Sequence, residues 1–203
     1  MRKSYLGDKM AQSGWVTDDV MRLILAAMMP DNRRAVQLSL ATGLRISDAL
    51  SLPTEKLRKT ARPYVRDSKT GKLHRIYVPQ DLRAELLANA GPVWVFPGRL
   101  DRSKHRTRQA VYKDMMQAVA TVKRAGWADK DAHISPHSAR KMAAVKTYHE
   151  KGFAAAQDLL VHDVGHPAVT MVYAMADQLS LPSSSRRSKR SCAKSTRKPQ
   201  KGQ

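Results

Sequence analysis

The stretch from His133 to Tyr173 gathers residue types that act on phosphate esters, namely histidines, an arginine and a closing tyrosine. A tyrosine hydroxyl has an ordinary pKa of about 10, so it becomes a nucleophile only beside positive charge or a base. His137 and Arg140 are three positions apart, which places them on one face of a helix. We therefore expect Tyr173 to attack a phosphate that the upstream residues present to it.

The local sequence around the His-x-x-Arg pair predicts a helix start. Ser135 is a good N-cap and Pro136 suits the first helical position. That helix should reach about Glu150 and stop at Gly152, and residues 153–161 should form a short second helix. Backbone N–H groups in a first helical turn favour anions, so the pair lies where a phosphate binds well.

Two upstream cations could complete such a site. Arg45 follows a helix that stops at a glycine, and its planar guanidinium can hold two phosphate oxygens. Lys69 lies in a turn between two predicted strands, residues 63–67 and 73–78, where Gly71 can adopt positive φ. Because lysine can give up a proton and arginine cannot, a lysine suits the protonation of a leaving group.

The rest of the chain predicts the elements that position these residues. Thr17 can cap a first helix, and the buried face expected for it holds Val20, Leu23, Ile24, Ala27 and Met28. Pro30 should end that helix. Further helices are expected at 32–42, 47–52, 80–89 and 107–125, with 93–96 as a third strand or a buried connector. The pattern predicts a mixed α+β fold that is mainly helical, with a small antiparallel sheet.

The charge balance favours a polyanionic partner. The 203 residues include 37 Lys and Arg against 17 Asp and Glu, a net charge of +20. Residues 182–203 carry eight of the cations and no acid, which leaves 29 against 17, an excess of 12, in residues 1–181. The globular part is thus basic in its own right, and nucleic acid or an anionic membrane is the expected partner.

The remaining composition bears on the compartment. Cys192 is the single cysteine, so no internal disulfide can form and a reducing compartment fits. The N-terminus has charge but no apolar run behind it, unlike a secretory signal. No stretch approaches the roughly 20 apolar residues of a membrane span. We expect a cytoplasmic protein, encoded by a bacterium or a phage, without membrane attachment.

Four motifs in a fixed order resemble one protein family. They are TGLR at 42–45, SKTGK at 68–72, HSAR at 137–140 and VGHPAVTMVYA at 164–174. In this order they are similar to the catalytic domain of the tyrosine recombinases, the phage integrase family, over about residues 17–176. The expected organisation is a short arm, a catalytic and DNA-binding domain, and a basic disordered tail, at 1–16, 17–178 and 179–203.

The resemblance implies a role for each motif residue. Tyr173 would attack a DNA phosphate and form a 3′-phosphotyrosyl bond. Arg45 and Arg140 would hold the non-bridging oxygens, and Lys69 would protonate the departing 5′-hydroxyl. Help with proton transfer and phosphate contacts would come from two histidines, His137 and His166. Strand exchange then reverses the step, so the family resemblance implies no cofactor and no metal.

The same resemblance implies double-stranded DNA as the partner and a multimer on paired sites, with accessory DNA-bending proteins as further possible partners. Only about 16 residues precede the first helix, so we expect the family's N-terminal DNA-binding domain to be missing. Contacts with DNA would then fall to the catalytic domain, to a basic loop at 97–106 and to the tail. The expected DNA-binding residues are Lys72, Arg99, Arg102, Lys104, Arg106 and Lys141.

Several alternatives stay open at this point. His166 lies seven positions before Tyr173, two fewer than the family's usual spacing, and His162 lies eleven before it, so either histidine could fill the position. Lys72 is an alternative to Lys69. The chain could instead be a non-catalytic DNA-binding protein that keeps the fold, or a basic RNA- or nucleoid-binding protein. Zinc is disfavoured because proline and glycine interrupt both i, i+4 histidine pairs, His133/His137 and His162/His166.

Overall fold

The apolar periodicity becomes helices with one hairpin in the computed structural model, which describes residues 16–160. In chain order the elements are α1 (Asp18–Ala27), α2 (Pro30–Thr42), α3 (Ile46–Leu50), α4 (Thr54–Lys59), β1 (Tyr64–Arg66), β2 (Leu73–Arg75), α5 (Gln80–Ala88), α6 (Arg108–Arg124) and α7 (Pro136–Leu160). The predicted fold class, mainly helical with a small antiparallel sheet, is confirmed.

Helix α1 begins where the sequence predicts and buries part of the expected face. The Thr17 hydroxyl accepts a hydrogen bond from the Val20 backbone N–H at 3.4 Å. Ile24 is buried as expected, whereas Leu23 is exposed and Met21 is buried in its place. The expected face is therefore confirmed in part, and the packing of α1 against α6 turns the buried side slightly away from it.

Helix α2 is the element around which the other helices pack. It contacts α1, α3, α6 and α7, and it buries Ala35, Val36 and Leu38 completely. Pro30 opens this helix rather than ending α1, because a proline at the first helical position has no N–H to leave unpaired. The Asp114 carboxylate of α6 accepts a hydrogen bond from the Met29 backbone N–H at 3.0 Å and so supplies a cap from another helix.

The two predicted strands form a hairpin in the structure, where each strand is shorter than the sequence predicted. Strands β1 and β2 are antiparallel, with Val65 opposite His74, and these two side chains face inward. The turn between the strands closes where the Gly71 N–H donates to the Asp67 carbonyl at 2.9 Å, with Gly71 at φ 71°. Because β1 follows α4 and β2 leads to α5, the hairpin is anchored at both ends beside the helical core.

Helix α7 carries the His-x-x-Arg pair and has the predicted kink. The Ser135 hydroxyl accepts a hydrogen bond from the His137 N–H at 3.3 Å. Gly152 has φ 84° and ψ −178°, which divides α7 into two helical segments as expected. The second segment turns back toward α2, where the side chain of Leu159 lies against Gly43.

One connecting segment contains an unexpected helix, and another takes one of the two forms that the sequence left open. Helix α4 was not expected. Residues 93–96 form a connector, in which Trp94 makes an isolated bridge with Pro53, rather than a third strand of the sheet.

Side chains of the helices and of the segments that connect them form a hydrophobic core. The largest fully buried side chains of this core are Met21, Ile24, Leu38, Leu44, Leu50, Leu52, Leu57, Leu86, Met115, Ile134 and Leu160.

We predict that Gly43→Ala destabilises the fold more than Gly126→Ala. Both glycines have positive φ, which costs a residue with a Cβ about 1 kcal/mol. A Cβ at Gly43 would also lie 2.5 Å from the Leu159 side chain, whereas a Cβ at Gly126 meets nothing within 4 Å. Urea unfolding should show an additional loss of about 1–3 kcal/mol for Gly43→Ala. Equal losses for the two variants would contradict the contact between Gly43 and α7.

Candidate phosphate-binding site

A cleft of about 880 Å³ lies between the first turn of α7, the first turn of α3 and the first half of α6. Three of the residues that the sequence singled out, Arg45, His137 and Arg140, line it together. They come from positions nearly a hundred residues apart in the chain. The packing of α2 against both α3 and α7 brings the two helix starts to the same place.

Arg45 is the N-cap residue of α3. Its side chain is about one-quarter exposed, and its Nη1 donates to the Asp67 carboxylate, whose own side chain is fully buried. Arginine has five N–H donors in a planar fork, so the pairing with Asp67 leaves donors that face the cleft. Arg45 is therefore fixed by an internal carboxylate on one side and can bind an anion on the other.

Arg140 is buried deep in the same cleft wall. Its Nη1 donates to the Gly43 carbonyl at 2.6 Å, and its Nη2 donates to the Leu160 carbonyl at 2.7 Å. The first bond ties α7 to the C-terminal end of α2, and the second ties its first turn to its last residue. The guanidinium is thus held rigidly, and it adds positive charge beneath the first turn of α7.

His137 lies on the exposed rim of the cleft, in the first turn of α7. Loss of hydration among the surrounding atoms, together with the charges of Lys141, Arg140 and Arg45, lowers the pKa of its imidazole from the ordinary 6.5 to about 4. The imidazole is therefore neutral at pH 7. A neutral imidazole can accept a proton or a hydrogen bond, and it gains a favourable partner when a phosphate enters the cleft.

Lys69 is exposed in the hairpin turn and is not part of the cleft wall. Within residues 16–160 its ammonium group makes no hydrogen bond or ion pair. Its backbone N–H donates to Asp67 Oδ1 at 2.9 Å, so the turn is attached to the carboxylate that pairs with Arg45. Lys72, the alternative, is exposed at the far end of the same turn.

Two buried carboxylates and one partly buried histidine were not singled out from the sequence. Asp67 and Asp48 are both about 1% exposed, and the Ser68 N–H donates to Asp48 Oδ1 at 3.3 Å. His74 faces inward from β2, and neither ring nitrogen has a hydrogen-bond partner among residues 16–160. Burial lowers its pKa, Asp67 and Asp48 oppose that effect, and Arg140 and Arg45 reinforce it. Only the inward position of a strand residue could have indicated His74.

The wall opposite α7 was also not predicted from the sequence. Arg108, Gln109, Tyr112 and Lys113 of α6 line the cleft, and Tyr112 is 45% exposed. The signal for these residues was present, because a basic and aromatic face follows the Thr107 cap of a predicted helix. This wall adds two cations and an exposed aromatic ring to the side of the cleft that faces away from the core.

The residues expected to bind DNA from the basic loop divide into two groups. Arg99, Arg102 and Lys104 are exposed. Arg106 instead points inward, where it pairs with Asp31 at 2.6 Å and donates to Asn32 Oδ1 at 3.1 Å. Arg106 therefore anchors the loop to α2. Lys141 is half-buried behind His137, where burial lowers its pKa.

Several expectations fall on residues outside the described range 16–160. They concern His162, His166 and Tyr173, the N-terminal arm and the basic tail. Within the described range, no three His, Cys, Asp or Glu side chains cluster as a metal site would require, and the expectation of no metal stays a prediction. No helix in that part of the chain is long and apolar enough to cross a membrane.

Comparisons with known proteins agree on one family. A model of the phage integrase family matches residues 14–179. The integrase of Escherichia phage P2 is 27% identical over 116 residues, which are 57% of this chain and 34% of that integrase. This chain therefore spans about one-third of the length of that curated relative.

Solved structures show the same fold. A lambda integrase dimer bound to a COC′ core site matches 82% of this chain and 49% of its own, with a TM-score of 0.69 and 18% identity. The XerA recombinase covers 88% of this chain over 64% of its own length, with a TM-score of 0.60 and 18% identity. The catalytic domain of bacteriophage HP1 integrase covers 81% of this chain over 89% of its own length, with a TM-score of 0.56 and 19% identity.

We predict that the His137 imidazole titrates with a midpoint of about 4 in the free protein. Because this pKa is lower than the ordinary 6.5, acid protonates the unfolded chain first, and stability falls as the pH drops from about 6.5 toward about 4. In Lys141→Gln the midpoint should rise, since a neighbouring cation is gone. The midpoint can be followed by NMR of the imidazole protons, with Lys146→Gln as the matched control on an exposed turn of the same helix.

A His137 midpoint near 6.5 in the parent protein would contradict the described surroundings of the ring. An equal rise of the His137 midpoint in the Lys141→Gln and Lys146→Gln variants would also contradict these surroundings, because Lys141 is among the charges that lower this pKa and Lys146 is not.

Proposed function

Because the chain belongs to the phage integrase family, we propose that it is a site-specific DNA recombinase that cuts and rejoins DNA through a tyrosine–phosphate bond. The single observation that carries this proposal is the convergence of Arg45, His137 and Arg140 on one cleft. Phosphoryl transfer gathers negative charge on the phosphate oxygens in the transition state, and fixed cations stabilise that charge. Two buried or half-buried guanidinium groups suit this task.

In the proposed reaction, the Tyr173 oxygen forms a bond to a DNA phosphorus and the bond from phosphorus to the 5′ oxygen breaks. Lys69 supplies the proton that the leaving 5′ oxygen takes up. The proton of the tyrosine hydroxyl passes to a base, and the neutral imidazole of His137 supports such a role. His166 would contact the phosphate beside it. A 5′-hydroxyl from a second strand then attacks phosphorus and releases Tyr173.

The proposed substrate is double-stranded DNA. The chain has a net charge of +20, two cations of α6 line the cleft, and further exposed cations lie on the hairpin turn and on the 97–106 loop. Such contacts with phosphates release counterions, so affinity should fall steeply with salt. Lambda integrase has been captured as a dimer and as a tetramer on DNA, and we propose a comparable multimer on paired sites, with accessory DNA-bending proteins as possible partners. A cytoplasmic location, in a bacterial host, accompanies this proposal.

A covalent adduct with DNA would test the proposed chemistry. We predict that the protein forms an adduct with a nicked suicide duplex carrying its recognition site, seen as a shifted band on a denaturing gel. Tyr173→Phe should abolish the adduct, because the nucleophilic oxygen is gone, while binding in a mobility-shift assay stays within about threefold. Arg45→Ala should lower adduct formation by at least about a hundredfold.

Two controls make this result interpretable. Tyr148→Phe removes a half-buried tyrosine of α7 that does not line the cleft, and it should leave adduct formation unchanged. Arg140→Ala is a poor test, because Arg140 also bonds the Gly43 and Leu160 carbonyls and its loss would disturb the fold. A full adduct in Tyr173→Phe would contradict the assigned nucleophile.

One sequence observation favours a second function. His166 and Tyr173 are two positions closer than is usual in the family. This spacing suits a protein that keeps the fold and binds DNA but does not cleave it. That alternative predicts salt-sensitive DNA binding and no adduct on any cognate duplex. The two proposals therefore differ in a single assay.

A further inference from the structure

Asp67 occupies a position between the two parts of the site that have different chemical tasks. Its Oδ2 pairs with the guanidinium of Arg45. Its Oδ1 accepts hydrogen bonds from the Lys69 N–H at 2.9 Å, the Thr70 N–H at 2.8 Å and the Thr70 hydroxyl at 3.1 Å. One carboxylate thus contacts the phosphate-holding arginine and the backbone of the turn that carries the lysine.

The surroundings make this carboxylate a rigid support. The Asp67 side chain is fully buried. Although burial alone would raise its pKa, the Thr70 and Lys69 donors and the charge of Arg45 together hold its pKa below the ordinary value. Asp67 therefore stays charged at neutral pH. Charge-assisted bonds of this kind are among the stronger ones in proteins.

Backbone bonds add to the same connection. The Asp67 N–H donates to the Lys72 carbonyl at 2.9 Å, and the Gly71 N–H donates to the Asp67 carbonyl at 2.9 Å. The Ser68 N–H donates to Asp48 of α3, the helix that Arg45 caps. A displacement of Asp67 would therefore move both Arg45 and the Lys69 turn.

We propose that Asp67 is a positioning residue for phosphate cleavage, which sets the phosphate-holding Arg45 and the proton-donating Lys69 in register with each other. This inference rests on the proposed function. In the step concerned, the tyrosine oxygen bonds to phosphorus, the bond to the 5′ oxygen breaks, and that oxygen takes a proton from Lys69 Nζ. Asp67 touches neither the phosphate nor the leaving oxygen, and it acts through the two cations.

The test uses two suicide duplexes that differ in the leaving atom. One has the natural 5′ oxygen, and the other has sulfur at that position. A thiol has a pKa of about 8.5, so sulfur leaves without the proton that an alkoxide needs. A defect in proton donation is therefore hidden on the sulfur duplex, whereas a defect in phosphate holding persists on both.

For Asp67→Asn we expect adduct formation to fall by about a hundredfold on the oxygen duplex, as a displacement of reacting groups would cause. On the sulfur duplex the fall should be about tenfold, because the Arg45 part of the defect remains. Lys69→Ala should lose activity on the oxygen duplex and regain it on the sulfur duplex. DNA binding by both variants should stay within about threefold of the parent protein.

The matched control is Asp129→Asn. Asp129 Oδ1 also accepts a backbone N–H, that of Asp131 at 3.1 Å, in a turn between α6 and α7 that does not line the cleft. The Asp129→Asn substitution removes the same charge as Asp67→Asn, and the variant protein should cleave both duplexes at the parent rate. Rates of Asp67→Asn within twofold of the parent on both duplexes would overturn the proposal, as would an equal fall on both.

Two further measurements keep the proposal testable if Asp67→Asn folds poorly or the parent makes no adduct. Thr70→Val removes one bond to Asp67 Oδ1 from an exposed residue, and its smaller loss should again be greater on the oxygen duplex. Independently of cleavage, DNA bound to the parent protein should shift the NMR signals of the Lys69 and Thr70 backbone amides, and Arg45→Gln should suppress that shift. If the protein forms adducts but the Lys69 and Thr70 amide signals do not change in its DNA complex, the proposed coupling of Arg45 to the Lys69 turn through Asp67 is overturned. If the parent protein forms no adduct, only the proposed function is overturned.

Discussion

The buried guanidinium of Arg140 is the interaction on which the rest of the site depends. It donates to the carbonyl that ends α2 and to the carbonyl of Leu160, the last described residue. A buried charge without such partners would cost several kcal/mol, roughly the whole stability of a small domain. The chain therefore has a strong physical reason to keep α2, the first turn of α7 and its last turn together. The segment that leads to Tyr173 starts from this fixed point.

The second constraint is the balance of charge around the cleft. Arg45, Arg140 and Lys141 all raise the cost of protonating His137, and their mutual repulsion would work against folding. Asp48 and Asp67 lie buried on the inner side, where they offset that repulsion without occupying the outer side. An anion that enters the cleft meets fixed cations, a neutral imidazole and a helix N-terminus. Under the proposed function, these groups would be in place before a phosphate arrives.

The sequence predicted the parts of the fold that depend on local chemistry. The Thr17 cap, the helix at about 107–125, the Ser135–Pro136 helix start, the Gly152 kink and the hairpin turn are confirmed. The buried face of α1 was predicted only in part, because neighbouring apolar residues share the helical period and the packing of a distant helix decides which of them are buried. Pro30 was assigned to the wrong helix for a similar reason, since a proline both stops one helix and starts the next.

The site follows the same division. Residue type and order singled out Arg45, Lys69, His137 and Arg140 as site candidates, and the structure brings three of them to one cleft. Asp67 and His74 were not singled out, because their placement beside Arg45 and Arg140 depends on long-range packing that no local pattern encodes. Arg106 looked like an exposed loop cation, yet the loop folds so that it pairs with Asp31. In each case long-range contacts decided what the local pattern left open.

The central claim is that Tyr173, and not another tyrosine, reacts with a phosphate held by Arg45 and Arg140. The competitor is Tyr112, which is exposed and lines the same cleft. The most direct test is to form the covalent complex, digest the protein and the DNA, and identify by mass spectrometry which peptide carries the nucleotide. The account predicts a nucleotide on Tyr173. A nucleotide on Tyr112, or on any other residue, would contradict it.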